Sequence, residues 1–257
     1  MMKKRNLLIL MISAFFVLTG CGIPNIFTIG SSISVPSGNI TNNSITAQYR
    51  VTQSHPEELT KINPAHGPKI FLGYVITGEE STFDGFSSTT LQTAFEKKAG
   101  KTPNGRHITK QAYYLEKGIF TVDKDDVSYK IYPFSDSKQS KYTSPDYHIA
   151  YQDSAPIADA NKLNTDFTLT FNQTSKDIEL TLTNSTYKNQ LEDGNLRRFE
   201  DQDFESPNNV DSDVVGEGTG NWYVHIFAAV NISQGYFTNI YWSPISYLGS
   251  IKIKEWF

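Results

Sequence analysis

The sequence predicts an all-β, antiparallel fold, a sandwich or a barrel, and three observations carry that prediction. Short apolar runs with a period of two recur from residue 44 to residue 253, the spacing that places every second side chain on one buried face of a strand. Clusters of Gly, Pro, Asn, Asp and Ser separate these runs, as turns separate the strands of a sandwich or barrel. A helical pattern is readable in a single stretch. With 16 Phe, 14 Tyr and 3 Trp at 38% hydrophobic content, the chain has ample apolar surface for a packed core.

Taken in order, residues 22–43 are rich in Ser, Gly, Pro and Asn and read as a tether running into an edge strand. Residues 44–51 alternate, with Ile45, Ala47, Tyr49 and Val51 on one face. Residues 55–67 are polar, contain Pro56 and Pro64, and read as a loop. Residues 69–77 are apolar on both faces, as expected of a central strand. Residues 88–100 break the pattern: Ser88 is a possible cap, Gly100 a stop, and Leu91, Ala94 and Phe95 an apolar stripe, so one short helix is expected. Residues 106–117 fit helix or strand equally.

The β signals then resume. Residues 119–122 and 127–134 predict a hairpin turning at residues 124–126. Residues 147–151 add a short strand. Residues 165–171 and 178–183 form a second hairpin, with Phe167, Leu169 and Phe171 facing the same way as Ile178, Leu180 and Leu182. Residues 191–220 are acidic and glycine-bearing and read as a long exposed excursion. Residues 222–232, 236–242 and 247–253 close the chain as three strands, with Pro244 marking the last break.

The N-terminus has a different logic. Lys3, Lys4 and Arg5 precede an apolar run over residues 7–18, broken by Ser13. A basic segment followed by roughly 12 apolar residues is a secretory signal, too short for a stable membrane span. The run ends in Val17-Leu18-Thr19-Gly20-Cys21, which resembles the bacterial lipobox. That resemblance implies cleavage between Gly20 and Cys21 and diacylation of Cys21, which would anchor the exported chain to a membrane at about 0.8 kcal/mol per buried CH₂. The chain has 1 Cys, so no intramolecular disulfide can form and the exported fold must rest on packing. Loss of Lys3, Lys4 and Arg5 from the 23 basic residues leaves 20 against 27 acidic ones, a formal charge of −7. An acidic surface argues against a nucleic-acid partner, which needs a basic face.

Three stretches resemble a fibronectin type III or related immunoglobulin-like sandwich. Residues 44–51 are similar to its second strand, with Tyr49 near the place of a core tryptophan. Gly73-Tyr74-Val75-Ile76 resembles the third, and residues 223–231 the sixth. The resemblance implies an immunoglobulin-like antiparallel β-sandwich in which the Tyr223 hydroxyl bonds back to nearby backbone as a tyrosine corner. His225 departs from it, standing where a core valine is expected. The expected organisation is a cleaved signal peptide (residues 1–20), a lipidated tether (21–43) and one ectodomain (44–257), with a large insertion at about 79–163 holding the short helix.

Chemistry is harder to find. His55, His66, His107 and His148 read as surface-loop residues and His225 as a strand residue, with no metal-ligand spacing among them. No nucleophile elbow occurs. The acidic excursion offers Asp201, Asp203, Asp211 and Asp213 as candidate Ca²⁺ ligands, without the full loop spacing that calcium sites use; an acidic run is most often a solvated face. Tyr113, Tyr114, Tyr142, Tyr147, Tyr151 and Trp242 are candidates for a groove that takes a glycan or a peptide, Tyr114 and Trp242 foremost. The expected role is a non-enzymatic binding, adhesion or envelope structural module. The alternative is a carbohydrate-active hydrolase using distant carboxylates such as Asp84, Asp146 or Asp166.

Overall fold

The computed structural model describes residues 30–52, 62, 67–86, 121–125, 127–134, 148–190, 195–204, 214–215, 220–234 and 239–254. In chain order the strands are β1 (Gly30–Ser34), β2 (Ile40–Thr41), β3 (Ser44–Thr52), β4 (Lys69–Thr77), β5 (Thr121–Lys124), β6 (Val127–Lys130), β7 (Tyr132–Pro133) and β8 (His148–Tyr151). They continue as β9 (Thr165–Asn172), β10 (Asp177–Leu182), β11 (Tyr187–Asn189), β12 (Asn195–Arg198), β13 (Val214–Val215), β14 (Asn221–Gln234), β15 (Asn239–Trp242) and β16 (Ser246–Lys254). Among the described residues the helical elements are four-residue 3₁₀ turns at Glu80–Phe83, Ala160–Leu163 and Asp201–Phe204. The helix expected over 88–100 lies outside the described residues.

Sheet one runs β1-β3-β9-β10-β12, with β2 added to the end of β3, and every pairing is antiparallel. The alternation of β3 buries Ile45, Ala47, Tyr49 and Val51 and leaves Ser44, Thr46, Gln48 and Arg50 half-buried on the opposite face. On that outer face Thr46 and Thr168 hydroxyls lie 2.9 Å apart, and Arg50 pairs with Asp166 at 2.5 Å. The β9–β10 hairpin forms as expected. Asn172 closes it by accepting from the backbone N–H of Thr174 (2.9 Å) and Ser175 (3.2 Å), while Lys176 takes φ +59°. An asparagine side chain that satisfies turn N–H groups is a common reason for a chain to reverse there.

Sheet two is built on β4 and β14, paired antiparallel from Tyr223↔Thr77 to Asn231↔Lys69. The far edge of β14 is shared by β16 and β15; the far edge of β4 is shared by β8, β7 and the parallel β13, with β11 beyond β8. The segment expected to be an insertion therefore supplies β7 and β8 to the sheet itself. A strand flanked on both edges and covered on both faces has no wet side, and β4 is buried from Ile70 to Thr77.

The even-numbered residues of β4 and β14, from Ile70 and Trp222 onward, face sheet one across a shared core that also holds Phe167, Leu169, Phe171 and Ile178. The odd-numbered set faces the other way and forms a second, smaller core. There Phe71, Val75, Phe227 and Ala229 lie under Phe83, Val122, Ile131 and Ile245. The β5–β6 hairpin and the Glu80–Phe83 turn thus make a partial third layer.

Two expectations change here. The region 191–220 is not simply an exposed excursion: β12 pairs with β10, and Phe199 and Phe204 are buried in the main core. An acidic composition hid two aromatic anchors, each worth more buried than the surrounding charges are in water. Part of the stretch 21–43 expected as tether belongs to sheet one, because β1 already pairs with β3 from Gly30↔Thr52.

Candidate functional site

A cleft of about 750 Å³ opens beside β16. The turn after β4 supplies Gly78, Glu79, Glu80, Ser81 and Asp84; Tyr223 comes from β14, Tyr247 to Ser250 from β16, and Val35 and Ile40 from the β1–β2 region. A β-bulge shapes its wall, since the β14–β16 register shifts between Ile226 and Phe227, leaving Leu248 without a facing partner. Bulges of this kind re-aim side chains. Gly249 there has φ +130°, and a Cβ on it would meet Ile40 Cδ1 at 3.2 Å. Lys252 N–H donates to the Asn42 carbonyl at 2.8 Å, which pins the β2–β3 turn against β16.

Beneath the cleft lies a buried polar chain. His225 is fully buried. Its Nε2 lies 3.2 Å from the Glu79 carbonyl and 2.8 Å from Thr77 Oγ1, and its Nδ1 lies 2.9 Å from the Tyr247 hydroxyl. A carbonyl can only accept, so Nε2 carries the proton and Nδ1 accepts from Tyr247. Thr82 Oγ1 completes the chain, donating to the Glu79 carbonyl at 2.8 Å. Burial holds the His225 pKa down to about 3, with the Glu79 hydrogen bond opposing. Burial pushes the Tyr247 phenol up, the charge of Asp84 adds to this, a Ser250 hydrogen bond opposes it and Glu80 adds a little more. A weak base beside a weakened acid does not exchange its proton. The pair satisfies polar atoms in the second core.

Several expected site residues take other places. Tyr223 is half-buried, lines the cleft and carries Lys252 Nζ 5.9 Å from its ring centroid. Among the described residues its hydroxyl makes no backbone bond, so it is not a tyrosine corner. It sits at an odd position of β14, on the side of the sheet away from the main core. A comparable tie is made by Tyr187, whose buried hydroxyl donates to the Leu163 carbonyl at 2.6 Å. Tyr151 packs on Tyr187 in the main core at 5.3 Å instead of lining a groove. Trp242 lies in β15 opposite Asn231. His148 belongs to β8, opposite Phe71, not to a loop.

Of the four candidate calcium ligands, Asp203 has a described side chain. It is fully buried and accepts from the Glu200 N–H at 2.8 Å, a local capping role. Asp211, Asp213, Tyr113, Tyr114, Tyr142 and Tyr147 lie outside the described residues, as does Asp146. Among the described residues, no three His, Cys, Asp or Glu converge as a metal site would require. Asp84 and Asp166 are not brought together: Asp84 lines the cleft, while Asp166 pairs with Arg50 on the outer face of sheet one. The acidic residues that line one cleft are Glu79, Glu80 and Asp84. Their signal was the run Gly78-Glu79-Glu80-Ser81-Thr82-Phe83-Asp84 directly after a buried strand, the usual position of functional loops. The chain matches no protein-family model, no curated protein and no solved structure.

Proposed function

We propose that this chain is an exported bacterial lipoprotein, anchored to a membrane of the cell envelope through Cys21, whose two-sheet ectodomain is a non-enzymatic binding module working through the cleft beside β16. The basic segment, apolar run and Leu18-Thr19-Gly20-Cys21 end carry the anchor reading. The cleft carries the binding reading, because a concave site of mixed lining is where small ligands bind. β1 begins at Gly30, nine residues beyond Cys21, so the folded body would sit close to the membrane.

A fibronectin type III-like ancestry fits this reading. The three stretches that resemble the family fall on β3, β4 and β14. β3 lies between β1 and β9, and β14 lies between β4 and β16, neighbours that support the family's C-F-G order as a reading. β10 and β12 on one sheet and β11 on the other are additions to that pattern.

Detergent phase partition after expression in a bacterial host tests the anchor. The wild-type chain is expected in the detergent phase, and Cys21→Ser in the aqueous phase or retained as an uncleaved precursor. Equal partition of mature wild type and variant would remove the anchor reading. A second reading, glycan hydrolysis by carboxylates, is favoured by Glu79, Glu80 and Asp84 sharing the cleft. It requires that a bound oligosaccharide be cleaved and that Glu80→Gln or Asp84→Asn abolish cleavage.

A further inference from the structure

We propose that the cleft beside β16 binds a neutral or amino-bearing pyranose unit of a glycan and rejects sugars that carry a carboxylate. This rests on the binding-module reading and names its ligand class. The volume of about 750 Å³ falls within the roughly 300–1,000 Å³ typical of small-molecule sites. A pyranose presents hydroxyl donors around its rim and apolar C–H groups on its faces, and the cleft offers a counterpart for each.

Glu80 and Asp84 are exposed on the turn after β4, and as carboxylates they accept and do not donate. Ser81 and Ser250 do both. The apolar counterpart is the half-buried Tyr223 ring, which carries Lys252 Nζ 5.9 Å from its centroid, with Ile40, which is 52% exposed at the lip. A sugar face laid there would remove that apolar surface from water. The backbone on that side is the bulge at Gly249, whose missing side chain lets Ile40 pack against β16, with Ile40 Cδ1 3.2 Å from where a Cβ would stand.

Charge then selects among sugars. Glu79, Glu80 and Asp84 line the cleft against the single cation Lys252 beside Tyr223, so among the described residues its charge is net negative. A uronic or sialic acid would bring a like charge into it, while a neutral ring would not and an amino sugar would be attracted.

The test is saturation-transfer NMR on the full chain held in a zwitterionic, sugar-free detergent. The probes are glucose, galactose, mannose, N-acetylglucosamine and glucosamine, against glucuronate and N-acetylneuraminate. Transfer is expected to neutral and amino sugars and not to the acidic ones. Tyr223→Ala should weaken binding by about fivefold. The pair Glu80→Gln with Asp84→Asn should weaken neutral binding and admit glucuronate. Both of those positions are exposed, so the pair carries the test alone if Tyr223→Ala does not fold.

No transfer to any neutral pyranose, equal transfer to the acidic sugars, or binding unaffected by both variants would overturn the proposal. Capture of a lysine- or arginine-rich peptide that is lost in the Glu80→Gln, Asp84→Asn pair, with no sugar bound, would overturn the ligand class and keep the binding module. The partition of Cys21→Ser stands apart from all of these outcomes.

Discussion

At His225 the imidazole is fully buried, and burial holds its pKa down to about 3 against an ordinary value of 6.5. Between those two values the unfolded chain binds a proton that the folded chain refuses. Stability contributed by the neutral ring is therefore complete above about pH 6.5 and lost as pH falls toward 3, with a slope approaching about 1.4 kcal/mol per pH unit. The residue fits its site only as a neutral ring, since Phe83 packs 4.9 Å away and Tyr247, Thr77 and Glu79 occupy both nitrogens. Replacing it by Phe is expected to cost about 1–3 kcal/mol at pH 7, because the Tyr247 hydroxyl and the Glu79 carbonyl each lose a partner. The same variant should decline less steeply with acid. Urea midpoints for wild type and His225→Phe at pH 7, 5.5 and 4 check both parts. Parallel declines would show that other groups govern acid sensitivity.

The elements themselves obey local rules until β16. In β3 and β9 the alternation seen in the sequence is the alternation of burial, because one face of each meets the shared core. β16 begins the same way and then slips by one residue at Leu248 and Gly249. That slip keeps Tyr247 on the side of the second core and Leu248, Ile251 and Ile253 on the side of the first. Gly249 makes it affordable through its φ of +130°, which side chains resist. Gly249→Ala is expected to destabilise by about 1–3 kcal/mol and to displace Ile40, whose Cδ1 the new methyl group would crowd. A lower melting temperature with altered methyl shifts at Ile40 is the expected result. An unchanged melting temperature would mean that the backbone relaxes there at no cost.

Across the whole molecule, two cores of unequal size share sheet two. The larger ties the sheets together; the smaller holds the β5–β6 hairpin and the turn after β4 against the outer face. Phe83 is the centre of the smaller one, with Phe86, Tyr129, His225, Phe227 and Tyr247 rings 4.9–5.8 Å away. Phe83→Ala should cost about 3–5 kcal/mol, concentrated in that layer. Hydrogen exchange is expected to speed up at residues 79–86 and 121–130 while β3 and β9 keep their protection. Uniform acceleration through both cores would show instead that the molecule opens as one unit.

How much could be read in advance follows from these scales. Strand positions were legible because burial on one face imposes a period of two, which residues 44–51 and 165–171 carry openly, and burial on both faces a continuous apolar run, which residues 69–77 carry. The β5–β6 and β9–β10 turns were legible from their Asp, Asn and Lys residues. The site was not, because Glu80, Tyr223, Tyr247 and Ile40 are far apart in the chain and meet only when β2, β14 and β16 come together. His225 looked misplaced for the same reason: its partners Thr77, the Glu79 carbonyl and Tyr247 come from β4, the turn after it and β16. By itself the sequence determined the all-β class of the fold and the buried face of its alternating strands, since periodicity and composition are local. Only the tertiary structure decided which carboxylates share a cleft, which tyrosines line it, and that sheet two is covered on both sides, since those are contacts between segments that no local pattern encodes.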